Sequence, residues 1–328
     1  MHFAMEHFQT EANRAAARAL SPRPRLSIVA PCYNEESGLG RFVERMIAAA
    51  KAAADGDFEL LLVNDGSRDD TWSVIQTLRT AHPEIVGLNL ARNHGHQLAV
   101  TAGLSVARGE RVLIIDADLQ DPPELLAAMM ARMDDGFDVV YGRRQARAGE
   151  SAFKLATAKL FYRLLKSVSD VEIPLDVGDF RLMSRRIVDR LNAMPERDRF
   201  LRGMVAWLGG RQTALDYSRD SRVAGRTAYT LSRMLRLATD GLVGFSTAPL
   251  RMAVFMAGAG ALLGLGLMVY ALVSLLAGRV VAGWTSLAMI IVFFGTGQFC
   301  LLAIFGAYLG RIYTQVKGRP LFVIDELS

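Results

Sequence analysis

The chain has 328 residues, 51% of them hydrophobic, with 38 Lys and Arg against 33 Asp and Glu for a net charge of +5. That hydrophobic share is high for a purely soluble protein, and the two cysteines, Cys32 and Cys300, are too few for a disulfide framework. The basic residues are spread along the chain without a nucleic-acid motif, so nucleic acid is excluded as a partner, and anionic lipid headgroups and phosphate ligands fit better.

Residues 1–25 read as a polar, flexible arm. They lack an apolar stretch and carry Glu6, Glu11, Arg14 and Arg18, which does not fit a secretory signal. The run Leu26-Ser27-Ile28-Val29-Ala30 predicts a short buried strand closed by Pro31. Phe42, Val43, Met46, Ile47 and Ala50, spaced by three and four, predict a helix ended by Asp55-Gly56-Asp57. The alternation continues with strand Phe58 to Val63, helix Thr71 to Leu78, strand Ile85 to Leu90, helix Gln97 to Ala107, strand Arg111 to Ile115, helix Pro123 to Met133 and strand Asp138 to Tyr141. Near-continuous apolar strands separated by helices predict an α/β fold, a doubly wound, mostly parallel sheet covered on both faces. Ligands of such sheets sit beyond the carboxyl ends of the strands.

Two later segments are basic and amphipathic. Phe153 to Val168, with Lys154, Lys159, Arg163 and Lys166, suits a membrane surface or packing on the sheet equally. Tyr229 to Val243 carries Arg233 and Arg236 and leads into an uncharged run from Met252 to Ala277. A second uncharged run extends from Val280 to Gly310, and each is long enough to cross a bilayer. Arg233, Arg236 and Arg251 flank the first run and Arg311, Lys317 and Arg319 follow the second, while the intervening loop offers Arg279. This predicts a two-helix hairpin with both ends in the cytoplasm. Gly260 with Gly264 and Gly306 with Gly310 have the spacing of close helix contacts, within the hairpin or in a homo-oligomer.

The strongest chemical signal is Asp116-Ala117-Asp118-Leu119-Gln120-Asp121-Pro122-Pro123, straight after an apolar strand. Carboxylates at i and i+2 can approach one hard cation, and Mg2+ or Mn2+ prefers oxygen ligands completed by substrate phosphates. The preceding strands also end in polar clusters: Ala30-Pro31-Cys32-Tyr33-Asn34-Glu35-Glu36, Val63-Asn64-Asp65-Gly66-Ser67-Arg68-Asp69-Asp70-Thr71 and Arg92-Asn93-His94-Gly95. Four such strand ends are what a nucleotide pocket at one edge of a parallel sheet requires.

With these clusters in this order, the sequence from about Leu26 to Pro320 resembles a family 2 glycosyltransferase of the polyprenyl-phosphate type, the group of dolichol-phosphate mannose synthases and bactoprenol glucosyltransferases. The family pattern P-x-Y-N-E, D-D-G-S-x-D-x-T, R-N-x-G, D-A-D-L-Q-D-P-P-E is met with one departure, Asn64 for the first Asp of D-D-G-S. Gly142-Arg143-Arg144 with Arg147 resembles G-x-R-x-x-R, and Asp179-Phe180-Arg181-Leu182 resembles D-F-R-L. Arg222 to Tyr229 resembles R-x-A-G-x-S-K-Y, with Thr227 and Ala228 in place of Ser and Lys.

The resemblance implies a GT-A fold at 26–228, a juxtamembrane amphipathic helix at 229–249, a transmembrane hairpin at 250–311 and a cytoplasmic tail at 312–328 in the inner membrane. It implies that Pro31, Tyr33, Glu35, Asn64, Asp65, Asp116 and Ala117 hold the nucleotide-sugar, and that Asp116, Asp118 and Gln120 grip the metal. Arg144, Arg147, Arg222 and Arg226 would meet the acceptor phosphate or the departing diphosphate, and Asp118, Asp179 and Arg144 are the catalytic candidates. The implied reaction is inverting transfer of a hexose, glucose from UDP-glucose first, with a 4-amino-4-deoxyarabinose derivative and mannose behind it. A processive polysaccharide synthase would need a Q-x-x-R-W motif, which is absent. A non-catalytic nucleotide-sugar-binding scaffold partnering a flippase is opposed by the intact D-x-D-x-Q.

Overall fold

The computed structural model describes residues 22–144, 177–217, 248–277 and 283–328. They belong to two compact units. The first holds β1 (Leu26–Cys32), α1 (Leu39–Ala54), β2 (Phe58–Asn64), α2 (Thr71–Ala81), β3 (Ile85–Leu90), α3 (His96–Val106), β4 (Arg111–Ile114) and α4 (Leu126–Asp134). It continues with β5 (Val139–Arg144), β6 (Val177–Ser184), α5 (Arg185–Ala193), α6 (Leu201–Leu208) and β7 (Gln212–Tyr217).

Every residue of β1 and β2 is buried, as the apolar runs predict for strands covered on both sides. Successive side chains point to opposite faces. Ile28, Leu60 and Leu113 pack with α1 and α4, through Phe42, Met46, Leu126 and Met129. Val29, Leu61 and Val112 pack with α3, α5 and α6, through Val100, Leu104, Val188 and Met204. The result is a three-layer sandwich with two apolar cores.

Among the described residues eight strands, the last being β8 (Ile324–Leu327), run in the order β7-β5-β6-β4-β1-β2-β3-β8. Strands β4, β1, β2 and β3 form a parallel block. β6 inserts antiparallel between β4 and β5, and β7 runs parallel to β5. Because β1 lies between β2 and β4, the chain leaves it toward one side and returns on the other. The loops after β1 and β4 therefore diverge and open a crevice at the sheet's carboxyl edge.

Beyond shifts of one to three residues at element ends, two features differ from the sequence reading. The helix after Asp121 starts as a 3-10 turn at Pro123–Leu125 before α4. The C-terminal stretch expected as a tail instead supplies β8 (Ile324–Leu327), antiparallel to β3, with Phe322 and Leu327 packed on the second core. Its partner strand is remote in sequence, so no local pattern announces the pairing.

The second unit contains α7 (Ala248–Leu276) and α8 (Trp284–Val316). Among the described residues one stretch, Phe293–Val316, is long and apolar enough to cross a membrane; within α7 the corresponding stretch is the shorter Phe255–Gly266. Side chains such as Phe299, Leu309 and Val316 are exposed. Gly260 faces the Phe294 ring, whereas Gly264, Gly306 and Gly310 have open space beside them. The amphipathic segments 153–168 and 229–243 lie outside the described residues.

Helix α3 sits unusually close to the sheet. A Cβ on Gly103 would overlap the Val29 side chain and come within 3.0 Å of Val63. Gly103→Ala should therefore destabilise the domain by about 1–3 kcal/mol through overpacking, read as a lowered melting temperature. An unchanged melting temperature would contradict this packing.

Candidate functional site

The crevice is a cavity of about 260 Å³. Pro31 and Cys32 at the end of β1, Tyr33 and Glu35 in the loop after it, and Asp65 in the loop after β2 line it. Asn93, Gly95, His96 and Ala99 come from the loop after β3 and the start of α3, and Asp116, Ala117 and Asp118 from the loop after β4. All four strand-end clusters thus converge.

The loops are stitched to one another. Asn34 sits in the left-handed region at φ 57, which an Asn tolerates. Its backbone N–H donates to Ser67 Oγ at 3.0 Å, and its side-chain Oδ1 accepts from the Arg68 N–H at 2.9 Å. The Glu35 N–H donates to Thr71 Oγ1 at 2.9 Å. Asp65 joins the second and third loops, its two oxygens accepting from the N–H groups of His94 at 2.7 Å and Gly95 at 2.9 Å. At Gly66, with φ 59, the backbone of Arg92 and Asn93 occupies the space a Cβ would need.

The loop after β4 turns through Leu119, held at φ 58. A bulky residue in that region costs about 1–2 kcal/mol, and such strain collects at functional loops. Asp118 Oδ1 accepts from the Gln120 N–H at 3.0 Å and closes the turn. The turn leaves Asp116, Ala117 and Asp118 on the cavity and buries Gln120 and Asp121. Asp121 accepts a hydrogen bond from the Tyr217 hydroxyl at the end of β7.

Of the residues singled out from the sequence, Pro31, Tyr33, Glu35, Asp65, Asp116, Ala117 and Asp118 meet at the cavity. Asn64 does not line it: its amide donates to Asn89 Oδ1 at 2.7 Å and accepts from the Ser67 N–H at 3.3 Å. Gln120 lies beneath the wall and is also absent from the lining. Arg144 ends β5. Arg147, Arg222 and Arg226 lie outside the described residues.

Asp179, on β6, is buried and centres a polar cluster that the sequence reading largely missed. Its Oδ2 is 3.2 Å from His96 Nε2 and accepts from Gln97 Nε2 at 2.7 Å. Its Oδ1 faces Arg181 at 3.7 Å and Arg202, on α6, at 3.8 Å. His96 Nε2 is also 3.6 Å from Asp116 Oδ1, so it bridges the cavity and this cluster. The signal for His96 and Gln97 was their position just beyond Arg92-Asn93-His94-Gly95, at the start of a predicted helix. Arg202 has no comparable sequence signal.

The two carboxylates titrate in opposite directions. Burial pushes Asp116 up to about 6, opposed by His96 and reinforced by the charges of Asp179, Asp118 and Asp121. For Asp179 burial acts upward too, but the His96 hydrogen bond and the Arg181 and Arg202 charges outweigh it. They hold it well below the usual carboxylate range. Burial lowers the affinity of His96 for a proton, yet the Asp179 hydrogen bond and the Asp116, Asp179 and Asp65 charges prevail and raise it.

Several buried side-chain atoms here have no hydrogen-bond partner: Asp116 Oδ1, Gln120 Nε2, Asp179 Oδ1, Arg181 Nε and Arg202 Nε. Clustered polar groups of this kind leave donors and acceptors available to a ligand. Among the described residues no group of three or more His, Cys, Asp or Glu is arranged to hold a metal. Two carboxylates, Asp116 and Asp118, nonetheless offer hard oxygen donors on the cavity wall, which suits a small divalent cation whose other ligands are phosphate oxygens.

A family model described as glycosyl transferase family 2 matches residues 27–191. A glycosyltransferase of Bacillus subtilis (strain 168), YkcC, is 40% identical over 304 residues, covering 92% of this chain and 93% of that protein. The bactoprenol glucosyl transferase of Shigella phage SfII is 36% identical over 306 residues, covering 92% of this chain and 98% of that protein. Among solved structures, the mannosyltransferase PcManGT from Pyrobaculum calidifontis, in complex with GDP-Man and Mn2+, has a TM-score of 0.47 at 19% identity over 93% of this chain and 96% of that one. A likeness that distant carries no argument about ligands.

The raised Asp116 makes a stability prediction. Folding disfavours its ionised form, so the cost is absent below the unfolded value of 3.8, grows as pH rises from there, and is complete above about 6. Asp116→Asn removes that cost. At pH 8 the variant should melt about 2–4 °C higher in the absence of ligand, ~1 kcal/mol once solvent screening of a one-third exposed group is allowed for. The gain should shrink as pH falls from 6 toward 4. Thermal unfolding across that range checks it, and a lower melting temperature at pH 8 would refute the assignment.

Proposed function

The chain belongs to glycosyl transferase family 2 and is a glycosyltransferase, and we propose that it transfers glucose from UDP-glucose to a polyprenyl phosphate, with inversion at the sugar carbon. The observation that carries this reading is the convergence of Asp116 and Asp118 with Tyr33, Glu35 and Asp65 on one strand-end cavity. The acceptor class is supported by relatives named bactoprenol glucosyl transferase, matched over 92% of this chain. Glucose is preferred on the same ground over mannose or a 4-amino-4-deoxyarabinose derivative.

In this reading Tyr33, Glu35 and their neighbours hold the nucleotide, and Asp116 and Asp118 hold Mg2+ or Mn2+. Through such a cation, Asp116 and Asp118 would supply positive charge to offset the negative charge of the departing diphosphate. Asp179 is a poor proton acceptor, because its own proton affinity is suppressed by His96, Arg181 and Arg202. No strong base is required, because a phosphate monoester with a second pKa of about 6 arrives ionised at pH 7. Catalysis then rests on positioning and on charge stabilisation by fixed groups. Arg144, Arg147, Arg222 and Arg226 are proposed for the acceptor phosphate and the leaving diphosphate, since guanidinium forks suit phosphate oxygens.

We place the catalytic domain at 26–228 on the cytoplasmic side of the inner membrane, with 229–249 at the interface and 250–311 as a two-span hairpin. The length and exposed apolar surface of α8 support this. At about 1.5 Å per residue both helices exceed the roughly 30 Å of a hydrocarbon core. The C-terminal residues return to the catalytic sheet as β8.

Detergent-solubilised protein given radiolabelled UDP-glucose, Mn2+ and undecaprenyl phosphate should form a butanol-extractable glycolipid. Absence of lipid product with every nucleotide-sugar tried would overturn the acceptor. Asp118→Ala should lower that activity at least 100-fold, the scale of losing a charge-stabilising group in a reaction of this kind, while membrane insertion is kept. Full retained activity would sink the metal assignment.

A further inference from the structure

Gln97 is the second residue of α3, and its side-chain amide is used at both ends. Nε2 donates to Asp179 Oδ2 at 2.7 Å, and Oε1 accepts from the Leu201 N–H at 3.0 Å. The orientation is fixed by its partners, because an ionised carboxylate only accepts and a backbone N–H only donates. One amide therefore ties α3 to β6 and to the first residue of α6. The neighbours of its three anchor points are all basic residues. His96 precedes Gln97, Arg181 follows Asp179 by two residues, and Arg202 follows Leu201. All three approach the same carboxylate within 3.2–3.8 Å.

We propose that Gln97 is a positioning residue for sugar transfer. It holds Asp179 between His96, which lines the donor cavity, and Arg202, which lies on α6. The proposal rests on the reading that the cavity takes the nucleotide-sugar and that Asp179 and its arginines form the opposite side of the reaction centre. Gln97 itself is absent from the cavity lining, so its loss affects alignment rather than donor affinity. Leucine at this position keeps the approximate volume and removes both hydrogen bonds. Glutamate keeps the shape but presents oxygen to Asp179, and two ionised carboxylates at 2.7 Å repel. When protonated, a glutamic acid can again donate to Asp179 and accept from Leu201. The charged and titratable groups around that position are His96 on α3, Asp179 and Arg181 on β6, and Arg202 on α6.

The test is Gln97→Glu and Gln97→Leu in the full-length, detergent-solubilised enzyme, compared with wild type from pH 8 to pH 6. At pH 8 both variants should lose at least tenfold in kcat, with the affinity for UDP-glucose and Mn2+ within twofold of wild type by calorimetry. As pH falls, the ratio of Gln97→Glu to wild-type activity should rise at least threefold, while the Gln97→Leu ratio stays flat. A merely structural role would move both ratios alike. Wild-type kcat in both variants, or a pH-independent ratio for Gln97→Glu, would overturn the proposal. If Gln97→Glu does not fold, Gln97→Leu decides alone: a tenfold loss in kcat with donor affinity kept supports the proposal, and loss of donor affinity in proportion overturns it. The wild-type control reports on the function reading separately. If wild type makes no glycolipid, the acceptor reading fails, and the same pH series read on donor hydrolysis still tests Gln97.

Discussion

The carboxylate of Asp179 is the constraint on which the site's architecture turns. It is buried on β6, a strand running antiparallel between β4 and β5, and an isolated buried charge there would be prohibitive. It is tolerated because two arginines, a histidine and an amide surround it. Those four partners come from three different elements, so satisfying one charge fixes the relation of α3, β6 and α6. The parallel block by itself would place four loops at one edge. It would not fix how the antiparallel flank meets them.

The loops obey a similar rule at smaller scale. A strand end at a sheet's carboxyl edge leaves backbone N–H groups that no ladder satisfies. Here side chains of neighbouring loops take them: Asp65 accepts from the third loop, Ser67 from the Asn34 N–H, Asn34 from the Arg68 N–H, and Asp118 closes its own turn. Ser67 and Asn34 therefore shape the cavity without lining it. Asn64, where the family pattern has an acid, belongs to this stitching as well. Its amide both donates and accepts, to Asn89 and from Ser67, and a carboxylate could only accept. The departure from the pattern is thus matched by an acceptor, Asn89 Oδ1, at the neighbouring strand.

How far the sequence discloses this depends on the range of the interaction. The strands β1 to β4 are legible because burial on both faces leaves unbroken apolar runs such as Leu60-Leu61-Leu62-Val63, and the helices between them show the three-and-four spacing of Phe42, Val43, Met46 and Ile47. The cavity residues are legible because they directly follow those strands. β6 was visible only as the short pattern Asp179-Phe180-Arg181-Leu182, and β7 and β8 not at all, since what makes them strands is pairing with distant partners. The exposed and partly exposed residues of β7 and β8 carry no clean alternation. His96 and Gln97 escaped notice for a related reason: a histidine and a glutamine at a helix start are ordinary until Asp179 arrives from eighty residues away in sequence.

The opposite titration of Asp116 and Asp179 connects this architecture to chemistry. Two carboxylates linked through one imidazole are pushed apart, one toward protonation and one away from it, by what surrounds them. The Asp116 side is rich in carboxylates and gains from a cation. The Asp179 side is rich in guanidinium and gains from an anion. The proposed transfer between two phosphate-bearing molecules faces that asymmetry of need, because an anionic nucleophile must approach a centre whose leaving group is itself anionic. In the proposed reaction, cationic charge on one side and carboxylates on the other would keep the two anions in separate places while leaving their reacting atoms near each other. His96, within 3.2 Å of one carboxylate and 3.6 Å of the other, stands at the boundary, and a fixed boundary does more for such a reaction than a stronger base would.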